Sequence, residues 1–219
     1  MKRKKRKYDS RSRAEAAKAT RQAIIDAARR LFLAKGYAAT TMPEIAKAAG
    51  TALDTVYATV GKKPALFRLL IEMAISGSDG VVPAEERDYV RAIRAEGDAA
   101  RKLQLYAAAM CGIQPRLAPL FRVLQEAAPL APELKELWQG IARRRADNMR
   151  LLIKDLAATG RLRAGLSEPR AADIIWSMNS PEFYLLLVEQ RGWSAEEYGK
   201  WLGTAWTRLL LEPGRSAGV

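Results

Sequence analysis

Apolar residues recur at the spacing of an α-helix along most of this chain, and this periodicity restricts the fold more than any other feature. The first clear set consists of Ile24, Ala28, Leu31 and Phe32, at positions i, i+4, i+7 and i+8. These positions share one face of a helix, and Gly36 is predicted to end that helix. No segment shows the alternating pattern of a half-buried strand. The sequence therefore predicts an all-α fold.

The second two-thirds of the chain predicts a run of longer helices. After a break at the glycine- and serine-rich residues 76–80, helices are expected near 84–96, 98–114, 116–128, 132–159, 168–179, 181–191 and 194–211. The last two have clear start signals. Ser180 precedes Pro181, which suits an N-cap followed by proline at the first helical position. Residues 194–197, SAEE, form the pattern of a capping box.

Residues 40–57 read TTMPEIAKAAGTALDTVY and predict two short helices joined by a tight turn. Thr41 and Glu44 form a capping-box pattern at the start of the first helix. Gly50 permits the positive φ of the turn, and Thr51 is predicted as the N-cap of the second helix. The pair has the form of a helix-turn-helix, but the spacing alone also suits a plain helical hairpin.

The charge distribution favours the helix-turn-helix. The chain carries 37 Lys and Arg against 24 Asp and Glu, a formal net charge of +13. Residues 1–67 hold 16 of those basic residues and 5 of the acidic ones, so almost all the excess lies in the first third. A basic head on a near-neutral body indicates that the head has a polyanionic partner.

The residue types also exclude several kinds of active site. The chain has one cysteine and no histidine, so it cannot form an internal disulfide, and it lacks the commonest general base and the commonest zinc ligand. We identify no glycine-rich phosphate loop and no clustered carboxylate pair. No catalytic residue, metal site or cofactor is therefore predicted, and the chain is not expected to be an enzyme.

The sequence shows no targeting or membrane segment. The basic run KRKKRK is followed by YDSRSRAEAAK, where a secretory signal needs an apolar core. The longest uncharged apolar runs fall short of the roughly 18 residues that a membrane span needs. We therefore expect a soluble, cytoplasmic protein.

Residues from about 20 to 67 resemble the N-terminal DNA-binding domain of tetracycline-repressor-like (TetR family) bacterial regulators. The residues that carry the resemblance are IIDAARRLFLAKGYAATTMPEIAKAAG, then TVY, then GKKPALF. Residues 180–213 resemble the dimerising end of one branch of that family. The resemblance implies a three-helix DNA-binding domain that contains the helix-turn-helix, followed by a larger helical domain that binds a ligand and dimerises.

This resemblance and the charge distribution divide the chain into four expected segments. They are a flexible basic tail (1–18), the helix-turn-helix domain (19–67), an effector-binding and dimerisation domain (68–212) and a short C-terminal tail (213–219). The basic run, with Arg11 and Arg13, suits an arm that enters the minor groove or follows the DNA backbone. It also suits a solvated tail that adds only nonspecific affinity.

The resemblance implies DNA contacts for seven residues. They are Thr40, Thr41, Thr51, Ala52, Thr55, Tyr57 and Lys63. The threonine pair starts the second helix, where hydroxyl and backbone N–H groups face a phosphate, and Tyr57 and Lys63 match residues that contact the DNA backbone. Ala52 and Asp54 stand where the family often has serine and glycine, and a carboxylate near DNA repels phosphate unless a cytosine amino group pairs with it. The operator sequence is therefore not predicted.

Large apolar residues on the inward faces of the later helices suit a pocket for a small, hydrophobic effector. They are Tyr106, Met110, Phe121, Trp138, Met149, Trp176 and Met178. Ordinary core packing explains any one of them better, so the pocket as a whole rests on the family resemblance. The polar residues Gln114, Asn148 and Asn179 lie near this set and are candidates for orienting a ligand.

The last two predicted helices carry more apolar surface than one neighbouring element covers. A palindromic operator requires a twofold protein, so we expect these helices to pair with their symmetry mates as a four-helix bundle. The residues expected at this interface are Phe183, Leu187, Trp201, Trp206 and Leu209.

The predicted function is a ligand-responsive transcriptional regulator, with repression favoured, that binds a palindromic DNA operator as a homodimer. A small, hydrophobic effector is expected to release it. The alternative is a nonspecific, architectural DNA-binding protein that has no effector. No membrane partner is expected.

Overall fold

The computed structural model describes residues 3–213, and most of them are helical. The helices within that range are α1 (Arg3–Ala39), α2 (Met42–Ala48), α3 (Leu53–Val60), α4 (Lys63–Ser76), α5 (Asp88–Ala95), α6 (Ala99–Ala127), α7 (Pro132–Ala157), α8 (Glu168–Met178), α9 (Pro181–Val188) and α10 (Ala195–Leu210). A short 3₁₀ turn, Ala84–Glu86, precedes α5. The all-α prediction is confirmed. Apart from Pro213, the predicted C-terminal tail lies outside the described residues.

Helix α1 is the longest helix and begins at Arg3, so most of the segment predicted as a tail, 1–18, is helical. Its apolar face is buried as the periodicity predicted, with Ile24, Ala28 and Phe32 fully inaccessible. The helical geometry is interrupted at Gly36, whose φ of 76° and ψ of 176° suit glycine. The helix therefore breaks at the glycine that was predicted to end it.

The turn between α2 and α3 has the predicted glycine but a different cap. The capping box of α2 is present, since the Thr41 side chain accepts from Glu44 N and the Glu44 carboxylate accepts from Thr41 N. Gly50 has a φ of 65°. Thr51 is not the N-cap of α3: its N–H donates to Ala46 O at 3.1 Å and closes a Schellman turn at the end of α2. The N-cap is Ala52, which makes no side-chain cap bond.

Helix α6 is one continuous element, whereas the sequence predicted a break between 114 and 116. It contains Pro115 and Pro119, each of which removes one backbone hydrogen bond and disfavours a helix interior. The helix continues because it is the centre of the fold. It packs against α1, α4, α5, α7, α9 and α10, and burial of its faces outweighs the two lost bonds.

The N-terminal domain and the body each contain a cluster of packed aromatic rings. In the N-terminal domain, the ring centroids of Phe32 and Tyr37 are 5.6 Å apart, and those of Phe32 and Phe67 are 5.0 Å apart. In the body, Tyr106 of α6 stacks on Trp206 of α10 at 5.4 Å. Such ring pairs stabilise a core beyond the area that they bury.

Candidate DNA-binding surface and ligand cavity

Helix α3 lies at the surface, with one face against the N-terminal core and the other turned outward. Val56 and Val60 are buried, whereas Tyr57 is 44% exposed and Asp54 is also exposed. A helix that enters a DNA groove must be presented in this way. The arrangement therefore suits the role that the sequence predicted for this segment.

The N-terminal end of α3 brings together three of the predicted DNA-contacting residues. Thr51, Ala52 and Thr55 occupy its preceding turn, cap and first turn. Ala52 is exposed, and the two threonines are half-buried. Short side chains at this end let the helix backbone approach a base edge or a phosphate closely.

The two threonines before α2 have different environments. Thr40 is completely buried, and its hydroxyl donates to Gly36 O at 2.8 Å. The Thr40 hydroxyl therefore cannot contact a phosphate in this conformation, which corrects the side-chain part of its predicted contact. Thr41 is exposed and caps α2. The difference arises because the break at Gly36 turns the Thr40 side chain back onto the end of α1.

Lys63, the first residue of α4, is held beside the aromatic cluster. Its ammonium lies 4.2 Å from the centroid of the Tyr37 ring and donates to Ala38 O at 3.4 Å. Burial lowers its pKa, although the nearby Glu44 carboxylate acts in the opposite direction. A cation fixed against a ring in this way is preorganised for a phosphate.

The carboxylate of α2 is neutralised by a neighbouring lysine. Lys35 Nζ lies 2.8 Å from Glu44 Oε1. Its hydrogen bond, together with those from Thr41, lowers the pKa of Glu44 to about 2. Glu44 therefore remains charged and paired over the whole physiological range, so its repulsion of DNA phosphates is reduced.

Two of the predicted basic contacts lie away from α3, since Arg11 and Arg13 precede Lys35 by more than 20 residues of helix α1, roughly 30 Å or more along its axis. Arg11 and Arg13 are exposed on α1, and Arg11 Nε lies 3.3 Å from Glu15 Oε1. An exposed pair of this kind is weak and can exchange for a phosphate. Lys62, the exposed N-cap residue of α4, was not among the predicted contacts. The GKKP motif contained it, but only its second lysine was chosen.

A cavity of about 440 Å³ lies in the body between α5, α6 and α7, within the range of ligand sites. Of the seven predicted pocket residues, Tyr106, Met110 and Met149 line it. Gln114, Asn148 and Asn179, the candidates for orienting a ligand, also line it. The remaining lining residues are Ile75, Ala84, Glu85, Arg87, Tyr89, Val90, Ile93, Arg94, Ile113, Leu117, Ile141, Arg145, Leu151, Leu152, Asp155 and Pro181.

Four predicted pocket residues do not line the cavity. They are Phe121, Trp138, Trp176 and Met178. Phe121 is core, at 1% exposure. Trp176 lies behind Arg145, with its indole N–H donating to Ala142 O at 3.3 Å. Helical periodicity placed all four on inward faces, but it could not separate a face that meets another helix from one that meets a cavity.

Sequence reasoning missed the segment before α6 and the arginines of the cavity. Tyr89 and Ile93 form a wall from α5, although nothing in their spacing distinguishes them from ordinary core. Arg87 and Arg145 also line the cavity. Arginine in an amphipathic helix is usually solvated, so only the packing identifies these two as internal.

A hydrogen-bonded network closes the inner end of the cavity. Asn179 Nδ2 donates to the Tyr106 hydroxyl at 2.6 Å, and Gln114 Nε2 donates to Asn179 O at 2.7 Å. Arg145 Nη2 donates to Asn179 Oδ1 at 2.6 Å. Burial raises the pKa of Tyr106, so its hydroxyl stays protonated. Gln114 Oε1 is buried with no hydrogen-bond partner, which leaves one acceptor unsatisfied at this end.

The helix-turn-helix segment matches a known family. Residues 24–70 match the model of the bacterial regulatory proteins of the tetR family. Residues 24–70 are thus similar to the DNA-binding segment of that family, in agreement with the resemblance seen in the sequence. No curated protein is similar enough to the chain to match it.

Solved structures share the fold of the whole chain. NalD of Pseudomonas aeruginosa, the secondary repressor of the MexAB-OprM multidrug efflux pump, is 22% identical with a TM-score of 0.70, covering 93% of this chain and all of its own. SmeT, solved with triclosan, is 21% identical with a TM-score of 0.63, covering 90% of this chain and 93% of its own. A Saccharomonospora viridis protein solved with choline is 17% identical with a TM-score of 0.67, covering 88% of this chain and 98% of its own. At these identities the similarity establishes the fold alone.

The last two helices of the chain expose an apolar surface, but Trp206 is not part of it. Trp206 is fully buried against α6, so its predicted place at a dimer interface is wrong. Trp201 is 36% exposed, Leu209 is exposed, and Phe183 stacks on Trp201 at 5.8 Å. Leu187 is half-buried. The wide apolar stripe of α10 thus divides between a core side and an outward side.

Helix α4 joins the N-terminal domain to the cavity. Ile75 near its end lines the cavity. Arg144 of α7 pairs with the buried Glu72 at 2.6 Å, and Arg116 of α6 donates from Nε to Ala74 O at 3.2 Å. Helix α4 is therefore linked to α6 and α7 by polar contacts near its C-terminal end.

Among residues 3–213, no helix combines the length and the apolar character that crossing a bilayer demands. Within the same range, no group of three or more His, Cys, Asp or Glu side chains is arranged to hold a metal ion.

Proposed function

We propose that the chain is a repressor that binds a palindromic operator as a homodimer and is released by a small, apolar effector. One arrangement supports this most directly: a single helix, α4, runs from the DNA-binding domain to the wall of the cavity. In this proposal residues 19–67 bind DNA, and residues 68–212 bind the effector and the second subunit.

The proposed DNA surface is centred on α3. Tyr57 and Lys63 are assigned to phosphates, since one is exposed and the other is a fixed cation. Thr51, Ala52 and Thr55 are assigned to the groove edge. Thr41 is proposed as a flanking contact, and the buried Thr40 contributes only by holding the turn. Arg11 and Arg13, on the distant part of α1, are proposed to reach DNA outside this surface.

The proposed dimer forms through α9 and α10. Phe183, Leu187, Trp201 and Leu209 offer the apolar surface that a second copy would cover. A twofold pair would present two copies of α3 about 34–36 Å apart, one turn of DNA. The description of NalD as a repressor supports repression as the outcome.

The proposed release is a shift between two states. A ligand changes the position of α4 only if it binds one state more tightly than the other. The contacts of α4 with Arg116 and Arg144 give such a ligand a direct route to the domain. The solution of SmeT with triclosan and of the Saccharomonospora viridis protein with choline supports a small-molecule effector.

Selection of bound sites from random duplex DNA tests the operator. A discrete palindrome is expected. Uniform protection in a footprint would instead favour the nonspecific, architectural alternative.

Two substitutions test the assigned surface. Tyr57→Phe and Lys63→Ala should each weaken operator binding by about threefold to tenfold, the effect of one lost phosphate contact. Fluorescence anisotropy at moderate salt measures the affinity, and sedimentation should show an unchanged dimer. Lys154→Ala, at an exposed lysine of the body, is the control. If both variants bind as the wild type does, the DNA surface lies elsewhere.

A further inference from the structure

Arg145 is fixed inside the cavity by neutral groups. Its Nη2 donates to Trp176 O at 2.5 Å and to Asn179 Oδ1 at 2.6 Å. Its guanidinium carbon lies 5.1 Å from the centroid of the Trp176 ring. The side chain is therefore held in one place by two carbonyl oxygens and a ring, none of which carries a negative charge.

No carboxylate pairs with Arg145 among residues 3–213, since none lies within salt-bridge distance. Glu182 acts on it through space, but Glu182 Oε1 accepts from Gln125 Nε2 at 2.8 Å and does not line the cavity. Burial lowers the pKa of Arg145, yet a guanidinium remains protonated in proteins. A largely buried charge without a salt-bridge partner is unfavourable, so an anion that reaches it is strongly attracted.

The other charged residues that line the cavity also carry an excess of positive charge. Asp155 lines it but is already paired with the buried Lys102 at 2.7 Å. Arg87 directs Nε and Nη2 at a carbonyl oxygen, Val82 O. Arg94 is exposed at the opening, where Glu85 is the remaining lining carboxylate. The cavity lining therefore contains three arginines and one carboxylate that has no ion pair among the described residues, Glu85.

Apolar side chains cover the wall on either side of Arg145. They include Met110, Ile113, Leu117, Ile141 and Leu152. A molecule that fills this space must be apolar over most of its length and anionic at the end that meets Arg145. Only Nη2 of the guanidinium donates a hydrogen bond within the described residues, so other N–H groups are available for a bidentate carboxylate.

We infer that the effector is an amphipathic acid, an apolar molecule with one carboxylate or similar anionic group that pairs with Arg145. This rests on the proposed function in taking the cavity as the effector site. A cationic amphipath is the competing class, because Tyr89 and Tyr106 offer stacked rings 6.3 Å apart. The arginine excess opposes that class.

Calorimetry on the full chain with matched probes tests the inference. The probes are decanoic acid, decanol and decyltrimethylammonium, with naphthaleneacetic acid and its amide as a second scaffold, all below micelle formation. The acids should bind at least about tenfold more tightly than their neutral partners, since a charge-assisted hydrogen bond replaces a neutral one. This comparison uses the wild-type chain and needs no variant.

Variants then locate the anion. Arg145→Gln should remove the preference for acids while leaving the affinity for decanol within about twofold, because only the charge pair is lost. Arg145→Lys should retain part of the preference for acids, since lysine keeps the positive charge but lacks the paired N–H donors of a guanidinium. Arg143→Gln, at an exposed arginine of the same helix, should change nothing.

Four results would overturn the inference: acids and neutral partners binding equally, the ammonium probe binding most tightly, no acid probe binding, or Arg143→Gln having the effect expected of Arg145→Gln. Operator release is measured separately. Selective binding of acids without release supports the ligand class and contradicts the proposed effector response, so the two failures are distinguishable.

Discussion

The two ends of this molecule assemble their candidate sites in different ways. The candidate DNA-binding surface consists mainly of one continuous stretch, residues 40–63, whose caps and turns form between near neighbours in sequence. The cavity draws its wall from α4 to the start of α9, between Ile75 and Pro181. Local signals therefore predict a protruding helix, whereas a cavity depends on how long helices pack.

The charged groups of the two regions also differ, in their exposure to solvent and in their partners. Lys35 and Glu44 meet in solvent at the surface of the DNA-binding domain. In the body, Arg145 is largely enclosed and has only neutral hydrogen-bond partners among the described residues. An exposed ion pair contributes little to stability, whereas an enclosed charge without a salt-bridge partner is costly and favours a ligand of opposite charge.

The largest expected effect tests whether the two regions unfold separately. Phe32→Ala empties the aromatic cluster of the DNA-binding domain and should cost about 3–5 kcal/mol of unfolding free energy. Urea denaturation measures the loss. We expect specific DNA binding to disappear first, with calorimetric ligand binding retained in the body. Leu33→Ala, at the exposed neighbour, should change stability by less than about 0.5 kcal/mol. Parallel loss of both activities would mean that the regions form one cooperative unit.

The second-largest expected effect is on dimerisation through the exposed face of α10. Trp201→Asp should weaken dimerisation by roughly 2–4 kcal/mol, because it places a charge where a large ring would be covered. Sedimentation across a concentration series measures the change. Leu130→Asp alters a side chain that is 82% exposed in the turn between α6 and α7 and should leave assembly intact. A wild-type chain that is monomeric at micromolar concentration would contradict the proposed interface.

A smaller effect on stability is expected when glycine is replaced by alanine, and its sign should differ between the two regions. Gly50→Ala forces an alanine into a left-handed turn with a φ of 65° and should destabilise the domain by about 1–2 kcal/mol. Gly140→Ala lies within α7, where an added Cβ meets nothing within 4 Å. It should stabilise the body by about 0.5–1 kcal/mol. Thermal melts of both variants give the two signs, and equal signs would show that the turn does not depend on Gly50.

The smallest expected effect is the acid dependence of the capping box. The pKa of Glu44 is lowered from 4.5 to about 2 in the folded state. Its contribution to stability is therefore complete above the unfolded pKa and is lost as the pH falls through about 2. Glu44→Gln should flatten that part of the acid-denaturation curve, whereas Glu136→Gln, at an exposed glutamate of α7, should not. Unchanged curves for both would argue against the Lys35 and Thr41 contacts.

Sequence reasoning succeeded where the deciding contacts are short-range. The capping boxes at Thr41 and Ser194, and the break at Gly36, each depend on residues within a few positions of one another. Sequence reasoning wrongly assigned Thr51 as the N-cap of α3, because a threonine at this position suits either a helix N-cap or the last residue of a Schellman turn. Only the backbone hydrogen bond to Ala46 distinguishes the two.

The sequence by itself determined the helical fold and the capping boxes at Thr41 and Ser194, because periodicity and capping act within one or two turns of chain. Tertiary structure decided which face of each long helix is inside. Gly199 lets α10 approach α6 closely, since an added Cβ there would lie 1.8 Å from Cys111 Sγ and 3.3 Å from Ala107 O. That approach buries Trp206 and leaves Trp201 outside. Which side of an apolar helix meets a neighbour depends on the shape of that neighbour, and the same physical reason placed Arg145 at the cavity.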